Sequence, residues 1–97
     1  MEISEFQNLL REKVGAKDKM MGREFLLNVL VDEVGELSRA LRKGTESEVA
    51  EEVSDVVFAV MSIANLVGVE VEPILKSKYV DRSLSEISRK WTDVNWK

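Results

Sequence analysis

The chain has 97 residues, of which 44% are hydrophobic and 33% charged, and its formal net charge is −4. This length fits one domain, predicted to span residues 1–97, and the acidic balance argues against a general nucleic-acid binder, which needs a basic face against the phosphates. Because the chain has no cysteine and no histidine, disulfides, thiolate zinc sites and cysteine nucleophiles are excluded, and any catalysis must use carboxylates, lysines, hydroxyls or a metal-activated water.

The first predicted helix lies near the N-terminus, where apolar side chains recur at helical spacing within residues 4–14. Ser4 and Gln7 are predicted to form its capping box, and Gly15 is predicted to end it. The N-terminal segment carries charges throughout, without the apolar core of a secretion signal, and no stretch approaches the roughly 18 apolar residues of a membrane span. The expectation is a cytoplasmic protein with no membrane partner.

The next two helices are predicted from their end signals. The second begins within residues 18–23 and ends at Gly44, which occupies the position of a C-terminal glycine cap. Thr45 and Glu48 form a Thr-x-x-Glu capping box that starts the third helix, and Gly68 ends it.

A fourth helix is predicted to begin at Pro73 and to continue to Trp91, with residues 92–97 as a frayed or docking tail. Four helices with short connections predict an all-α, four-helix bundle-like domain. A chain of this size leaves much apolar surface uncovered when it is alone, so such a domain would gain from a partner subunit.

The acids of the second helix do not all face the same way. Successive helical residues turn by about 100°, which places Glu33 inside the apolar face of this helix. Glu36 lies at the edge of that face, about 60° away and one turn along. Asp32 lies further out and is expected to face water.

The third helix repeats this arrangement, with Glu52 inside its apolar face, Asp55 at the edge and Glu51 pointing away. If the two helices pack antiparallel through their short connection, two pairs of acids meet in one apolar groove. The four carboxylates concerned belong to Glu33, Glu36, Glu52 and Asp55.

Four carboxylates in such a groove are costly unless a cation neutralises them. An uncompensated buried carboxylate costs several kcal/mol or shifts its pKa until it is neutral. Ligation by oxygen alone favours Mg²⁺ or Mn²⁺ over zinc, and Mg²⁺ commonly shares its coordination with substrate phosphates. The pattern therefore predicts a Mg²⁺ site, which would also accept Mn²⁺.

A structural alternative gives these acids no ligand. Glu-x-x-Glu pairs are common on solvated helix faces, and Glu33 and Glu52 would also be stable if they were paired with Arg39, Arg42 or a lysine of the fourth helix. The presence of two such pairs, each with one member inside an apolar face, favours the metal site.

The order of these motifs resembles a known family. Glu33-x-x-Glu36, fifteen intervening residues and Glu52-x-x-Asp55 are similar to the signature of the all-α nucleoside triphosphate pyrophosphohydrolases of the MazG-like superfamily. The surrounding segments LVDEVGEL, VAEEVSDVVFAVMSIANLVGV and KYVDR are similar as well, so the resemblance covers residues 23–82. The chain lacks the Cys-Pro-Trp segment of longer members and resembles the short, single-domain type.

This resemblance implies a four-helix bundle whose core and active site are completed by dimerisation, with dimers sometimes pairing into tetramers. It also implies Mg²⁺-dependent cleavage of nucleoside triphosphates between the α- and β-phosphates, with the clearing of non-standard nucleotides as the expected role. The four carboxylates would hold the metal, and Lys78 and Arg82 would contact the substrate phosphates. Glu33 and Glu36 are the catalytic candidates, and Glu36 is the first choice of base because its edge position can face both metal and solvent. The Tyr79 ring is a candidate for stacking on the base, with core packing as its alternative role.

Two other functions stay open from the sequence. One is a sibling pyrophosphatase specific for phosphoribosyl-ATP, dUTP or dCTP, and the other is a non-catalytic helical dimerisation module with surface acids. Convergence of Glu33 and Glu52 on a common cavity would favour an enzyme, whereas burial of both against lysine or arginine would favour the module.

Overall fold

The structure, a computed structural model, describes residues 1–88 and is all-α, as the sequence predicts. Three long helices come first: α1 (Ile3–Met21), α2 (Arg23–Lys43) and α3 (Glu46–Val67). A fourth segment begins with α4 (Glu72–Leu75), continues directly as a π-helical turn (Lys76–Val80) and is followed by α5 (Leu84–Ser88). No β-strand occurs in these 88 residues. The predicted tail at residues 92–97 lies outside the described residues.

The start of α1 differs from the prediction. The Glu5 side chain accepts a hydrogen bond from the Glu2 backbone N–H at 3.1 Å, so the chain caps this helix two residues earlier than the Ser4–Gln7 box would. Gln7 is instead fully buried. Its amide donates to the Val69 carbonyl at 2.7 Å and accepts from the Val71 N–H at 3.1 Å, which ties α1 to the connection after α3.

The prediction that Gly15 ends the first helix is wrong, because α1 continues through it to Met21. A single glycine is tolerated inside a helix at a cost of about 1 kcal/mol relative to alanine. The break comes at Gly22, whose φ of +88° is a conformation that favours glycine.

We expect Gly15→Ala to raise the free energy of unfolding by about 1 kcal/mol, because the added Cβ relieves the helix penalty and meets Arg11 Cγ at an ordinary 3.7 Å. Gly44→Ala is the matched control and should destabilise, since its Cβ would lie 2.8 Å from the Ala40 carbonyl oxygen. Thermal unfolding of both variants measures the two opposite shifts. Equal shifts of the same sign would contradict this assignment.

The connection between α2 and α3 follows the predicted end signals. The Gly44 N–H donates to the Ala40 carbonyl at 2.8 Å and closes α2. The Thr45 N–H donates to the Glu48 carboxylate at 3.0 Å, and the Glu48 N–H donates to Thr45 Oγ1 at 3.2 Å. This reciprocal box confirms the predicted start of α3 and fixes α2 and α3 as an antiparallel hairpin.

Helix α3 lies at the centre of the fold and packs against both α1 and α2, which touch each other little. The buried hydrophobic side chains are few: Leu10, Leu26, Ala40, Ala59, Met61 and Ala64. The radius of gyration is 15.6 Å, against roughly 13 Å for a compact 100-residue domain. Much apolar surface of α2 and α3 therefore stays exposed in the single chain.

The prediction of one continuous fourth helix is wrong, because the helical segment is interrupted at residues 81–83. Lys76 Nζ binds both carboxylate oxygens of Asp81 at 3.1 and 3.2 Å, and the Asp81 N–H donates to the Lys76 carbonyl. Ser83 and Glu86 then form a new capping box. Ser-x-x-Glu is a helix-start signal, so the chain begins α5 there rather than extending the preceding turn.

Within residues 1–88 no single helix is both long and apolar enough to cross a lipid bilayer, although α3 together with Glu72–Val80 meets that length and composition as a pair bent by 115°.

Candidate metal and phosphate site

The hairpin of α2 and α3 brings acids from both helices together. Glu33 on α2 and Glu52 and Asp55 on α3 each offer one carboxylate oxygen, and these three atoms lie within 4.8 Å of one another. Helical turn sets the side-chain directions and the short connection at Gly44 sets the register. Three of the four acids predicted from the sequence therefore share one small volume.

The three acids differ in exposure. Glu33 and Glu52 are half-buried, whereas Asp55 is exposed. One Glu52 oxygen, Oε2, is shielded from solvent and accepts no hydrogen bond from any group in residues 1–88. A shielded carboxylate oxygen without a donor is costly to maintain, so this position favours a ligand that brings positive charge.

Burial and mutual repulsion raise the pKa of two of these carboxyls above their ordinary value. For Glu33 the causes are burial first, then a hydrogen bond with Asp55, and then repulsion from the neighbouring acids. For Glu52 they are burial first, then repulsion from Asp55, Glu36 and the adjacent Glu51, opposed by attraction to Arg39. Both carboxyls therefore ionise less readily than an exposed glutamate, and a bound cation would offset that cost.

The fourth predicted acid, Glu36, lies beside this group but is turned toward its own helix. Its Oε1 accepts a hydrogen bond from Arg39 Nη2, three residues along α2. Its charge still contributes to the raised pKa of Glu33 and of Glu52. Asp32 and Glu51 are exposed, in agreement with their predicted directions.

The donor set fits a hard divalent cation. The ligands would be carboxylate oxygens from Glu33, Glu52 and Asp55, and Mg²⁺ prefers such oxygen ligands while keeping several waters. A bound cation would satisfy the shielded Glu52 oxygen, which has no hydrogen-bond donor among the described residues. No ion pair among residues 1–88 engages Glu33 or Glu52, which disfavours the structural alternative in which arginine or lysine neutralises them.

Within residues 1–88, the predicted phosphate-binding residues of the fourth segment, Lys78 and Arg82, make no ion pair with the acids. Lys78 and Arg82 are exposed, and neither takes part in the ion pairs of the described part of the chain. The Lys78 ammonium lies 5.5 Å from the centre of the Tyr79 ring, and Tyr79 is half exposed. The structure thus brings the acids together without bringing Lys78 and Arg82 to them, and their phosphate role stays a prediction.

Two other basic residues do lie next to the acids. Arg39 and Lys43 line a cavity of about 140 Å³ with Glu36, Ala40, Gly44, Glu48 and Glu52. From the sequence Arg39 was predicted only as a possible ion-pair partner, and Lys43 was given no role. Their spacing of four residues on the acid-bearing helix is the signal that could have found them, because such residues share a face.

Comparison with known proteins gives one family. The model of the MazG nucleotide pyrophosphohydrolase domain matches residues 21–84, which is more than half of the chain and contains all four acids. No curated protein and no solved structure matches the chain significantly.

Proposed function

Because the chain belongs to the family of MazG nucleotide pyrophosphohydrolase domains, we propose that it cleaves nucleoside triphosphates between the α- and β-phosphates and releases a monophosphate and pyrophosphate. The observation that supports this most directly is the approach of Glu33, Glu52 and Asp55 oxygens to within 4.8 Å of one another. Acids held this close across two helices favour a cation-dependent site over a solvated surface.

We propose Mg²⁺ as the resident cation, with Mn²⁺ as a substitute, held by Glu33, Glu36, Glu52 and Asp55. Bound there, Mg²⁺ supplies polarisation of the phosphates and a water of lowered pKa. Glu36 is exposed and lies at the rim of the group, where its carboxylate can accept the proton of the attacking water. Glu33 orients that water through its half-buried carboxylate.

We assign phosphate binding and base stacking to solvent-exposed residues of the fourth segment. Lys78 and Arg82 would stabilise negative charge on the substrate phosphates. The half-exposed Tyr79 ring is available to stack on the base. Removal of non-standard nucleotides and a cytoplasmic location belong to the same proposal, because nucleoside triphosphates are cytoplasmic metabolites.

We also propose that the protein works as a homodimer, or as a pair of dimers. Two rows of exposed apolar side chains recur at intervals typical of helix packing: Leu27, Val31, Val34 and Leu41 on α2, and Val53, Val57, Val60 and Val67 on α3. Rows with this spacing pack well against another helix. A second copy would cover both rows and complete the thin core.

The proposal is tested with a panel of nucleoside triphosphates and Mg²⁺, with pyrophosphate and orthophosphate release measured separately. We expect pyrophosphate and monophosphate in equal amounts, and no turnover in the presence of a chelator. Orthophosphate alone would contradict the cleavage position, and no turnover of any nucleotide would favour the non-catalytic module. Inclusion of dUTP, dCTP and phosphoribosyl-ATP distinguishes the sibling pyrophosphatases, which share the metal site.

A further inference from the structure

The cavity lined by Arg39 and Lys43 adjoins the acid group at the tip of the α2–α3 hairpin. It has a volume of about 140 Å³ and shares Glu36 and Glu52 with the acids. Pockets that hold whole drug-sized ligands measure roughly 300–1,000 Å³, so this one fits only part of a nucleotide. Its lining contains no aromatic ring, and its largest apolar side chain is that of Ala40. Such a lining suits a phosphate group and offers nothing for a base to stack on.

The two cationic side chains of this cavity, Arg39 and Lys43, lie where both can bind an anion. Arg39 binds Glu36 and lines the cavity together with Glu52. Lys43 lies one turn further along the same face of α2, and no ion pair among residues 1–88 engages it. A planar guanidinium and a flexible ammonium on one wall are the donors that proteins use for phosphate oxygens.

Two of the three acids in the cavity already have hydrogen-bond partners, and the third belongs to the proposed metal site. The Glu48 carboxylate accepts the Thr45 N–H and hydroxyl of the helix cap, while Glu36 is held by Arg39. Glu52 belongs to the group of three. An anion can therefore enter only if a divalent cation offsets Glu52, and it then competes with Glu36 for the guanidinium.

We propose that this cavity holds the pyrophosphate portion of the substrate, the β- and γ-phosphates, and that Arg39 and Lys43 are its binding residues. On binding, Arg39 exchanges the Glu36 carboxylate for a phosphate oxygen. Glu36, released from this pair, is then free to turn toward Glu33 and Glu52. This inference rests on the proposed function for the identity of the substrate, but it concerns residues that neither the resemblance nor the acid pattern singles out.

The test is calorimetric titration of inorganic pyrophosphate, with Mg²⁺ present, into the wild-type chain and into Arg39→Gln and Lys43→Gln. We expect Arg39→Gln to weaken pyrophosphate binding about tenfold or more, the effect of one lost charge-assisted hydrogen bond, and Lys43→Gln to weaken it less. Arg42→Gln is the matched control, because it removes the same charge from the same helix but lines a different, apolar groove with Val34 and Leu41.

A parallel titration with AMP separates phosphate binding from a structural role. We expect AMP binding and thermal stability to be unchanged in Arg39→Gln, and Arg39→Lys to recover part of the pyrophosphate affinity. Equal weakening of pyrophosphate and AMP, pyrophosphate binding as tight in Arg39→Gln as in Arg42→Gln, or no binding by the wild-type chain would each overturn the inference.

The two proposals fail separately in this design, because the titration needs no turnover. Pyrophosphate binding that depends on Arg39 in a chain that hydrolyses no nucleotide would retain the cavity assignment and remove the proposed reaction. Hydrolysis with an Arg39→Gln variant that binds pyrophosphate normally would do the reverse.

Discussion

Glu52→Gln is expected to lower kcat/KM for the preferred nucleoside triphosphate at least about a hundredfold. Glutamine keeps the shape of the side chain but loses the charge that a cation needs, and even supporting residues around metal ligands cost 10–100-fold when they are replaced. The Glu52 oxygen that accepts no hydrogen bond among the described residues makes this position more dependent on a cation than any exposed acid. Steady-state assays at saturating Mg²⁺ measure the loss.

The same variant should behave in the opposite way when stability is measured without metal. Since the pKa of Glu52 is raised above its ordinary 4.5 in the folded chain, the unfolded chain ionises first as the pH rises. The wild-type chain therefore loses stability between pH 4.5 and the raised folded pKa, and the loss persists at higher pH. Glutamine has no such loss, so the metal-free variant should unfold at a higher temperature at pH 7, with the advantage vanishing below pH 4.

Glu51→Gln is the matched control for both measurements. It removes the same charge from the adjacent residue of α3, which is exposed and lies outside the group of three acids. We expect its activity and its metal-free stability to stay close to wild type. Loss of activity in both variants would show that the acids act only through the overall charge of the helix. Retention of activity in both would show that the Glu52 carboxylate is not needed to hold a cation.

The helix periodicity was sufficient to place Glu33 and Glu52, because the turn per residue decides which side of a helix a side chain occupies. It could not place the Glu36 carboxylate. The side-chain conformations that direct a surface carboxylate to a neighbour on its own helix or to a site across the hairpin differ little in energy. Arg39 takes it in the structure. The backbone of Glu36 is thus at the predicted position on α2, but its side chain binds Arg39 instead of joining the other three acids.

The two helix ends that were wrongly predicted are opposite outcomes of one competition, between local end signals and tertiary packing. Gly15 is a weak stop signal that tertiary packing of α1 on α3 overrides. At residues 81–83 a strong start signal, the Ser83–Glu86 box, ends a helix whose apolar pattern continues past it. Local propensity decides where packing is slight, and packing decides where it is extensive.

The position of the acids connects the fold to the proposed chemistry. Glu33 and Glu52 stand on two helices joined by two residues, Gly44 and Thr45, so one short capped turn sets the register that brings them together. A thin core elsewhere in the chain does not disturb it. The apolar rows on the other faces of α2 and α3 can then serve association without altering the distance between the acids.

Val31→Asp is expected to convert the proposed dimer into monomers and to abolish most activity. Val31 lies within the exposed row of α2 and is 60% exposed in the single chain, so the substitution costs the lone chain little. In a symmetric dimer it would bury two unpaired carboxylates, each at a cost of several kcal/mol. Light scattering after size exclusion gives the mass, and circular dichroism at the same concentration checks that helicity is retained.

Asn28→Asp is the control, since it adds the same charge to an exposed, polar position one turn earlier on α2. We expect it to keep the wild-type mass and activity. A wild-type chain that is monomeric at micromolar concentration, or a Val31→Asp chain that stays dimeric and active, would remove this row from the interface. Because the acids meet within one hairpin, the monomer should still bind Mg²⁺, which separates the role of association in catalysis from its role in forming the metal site.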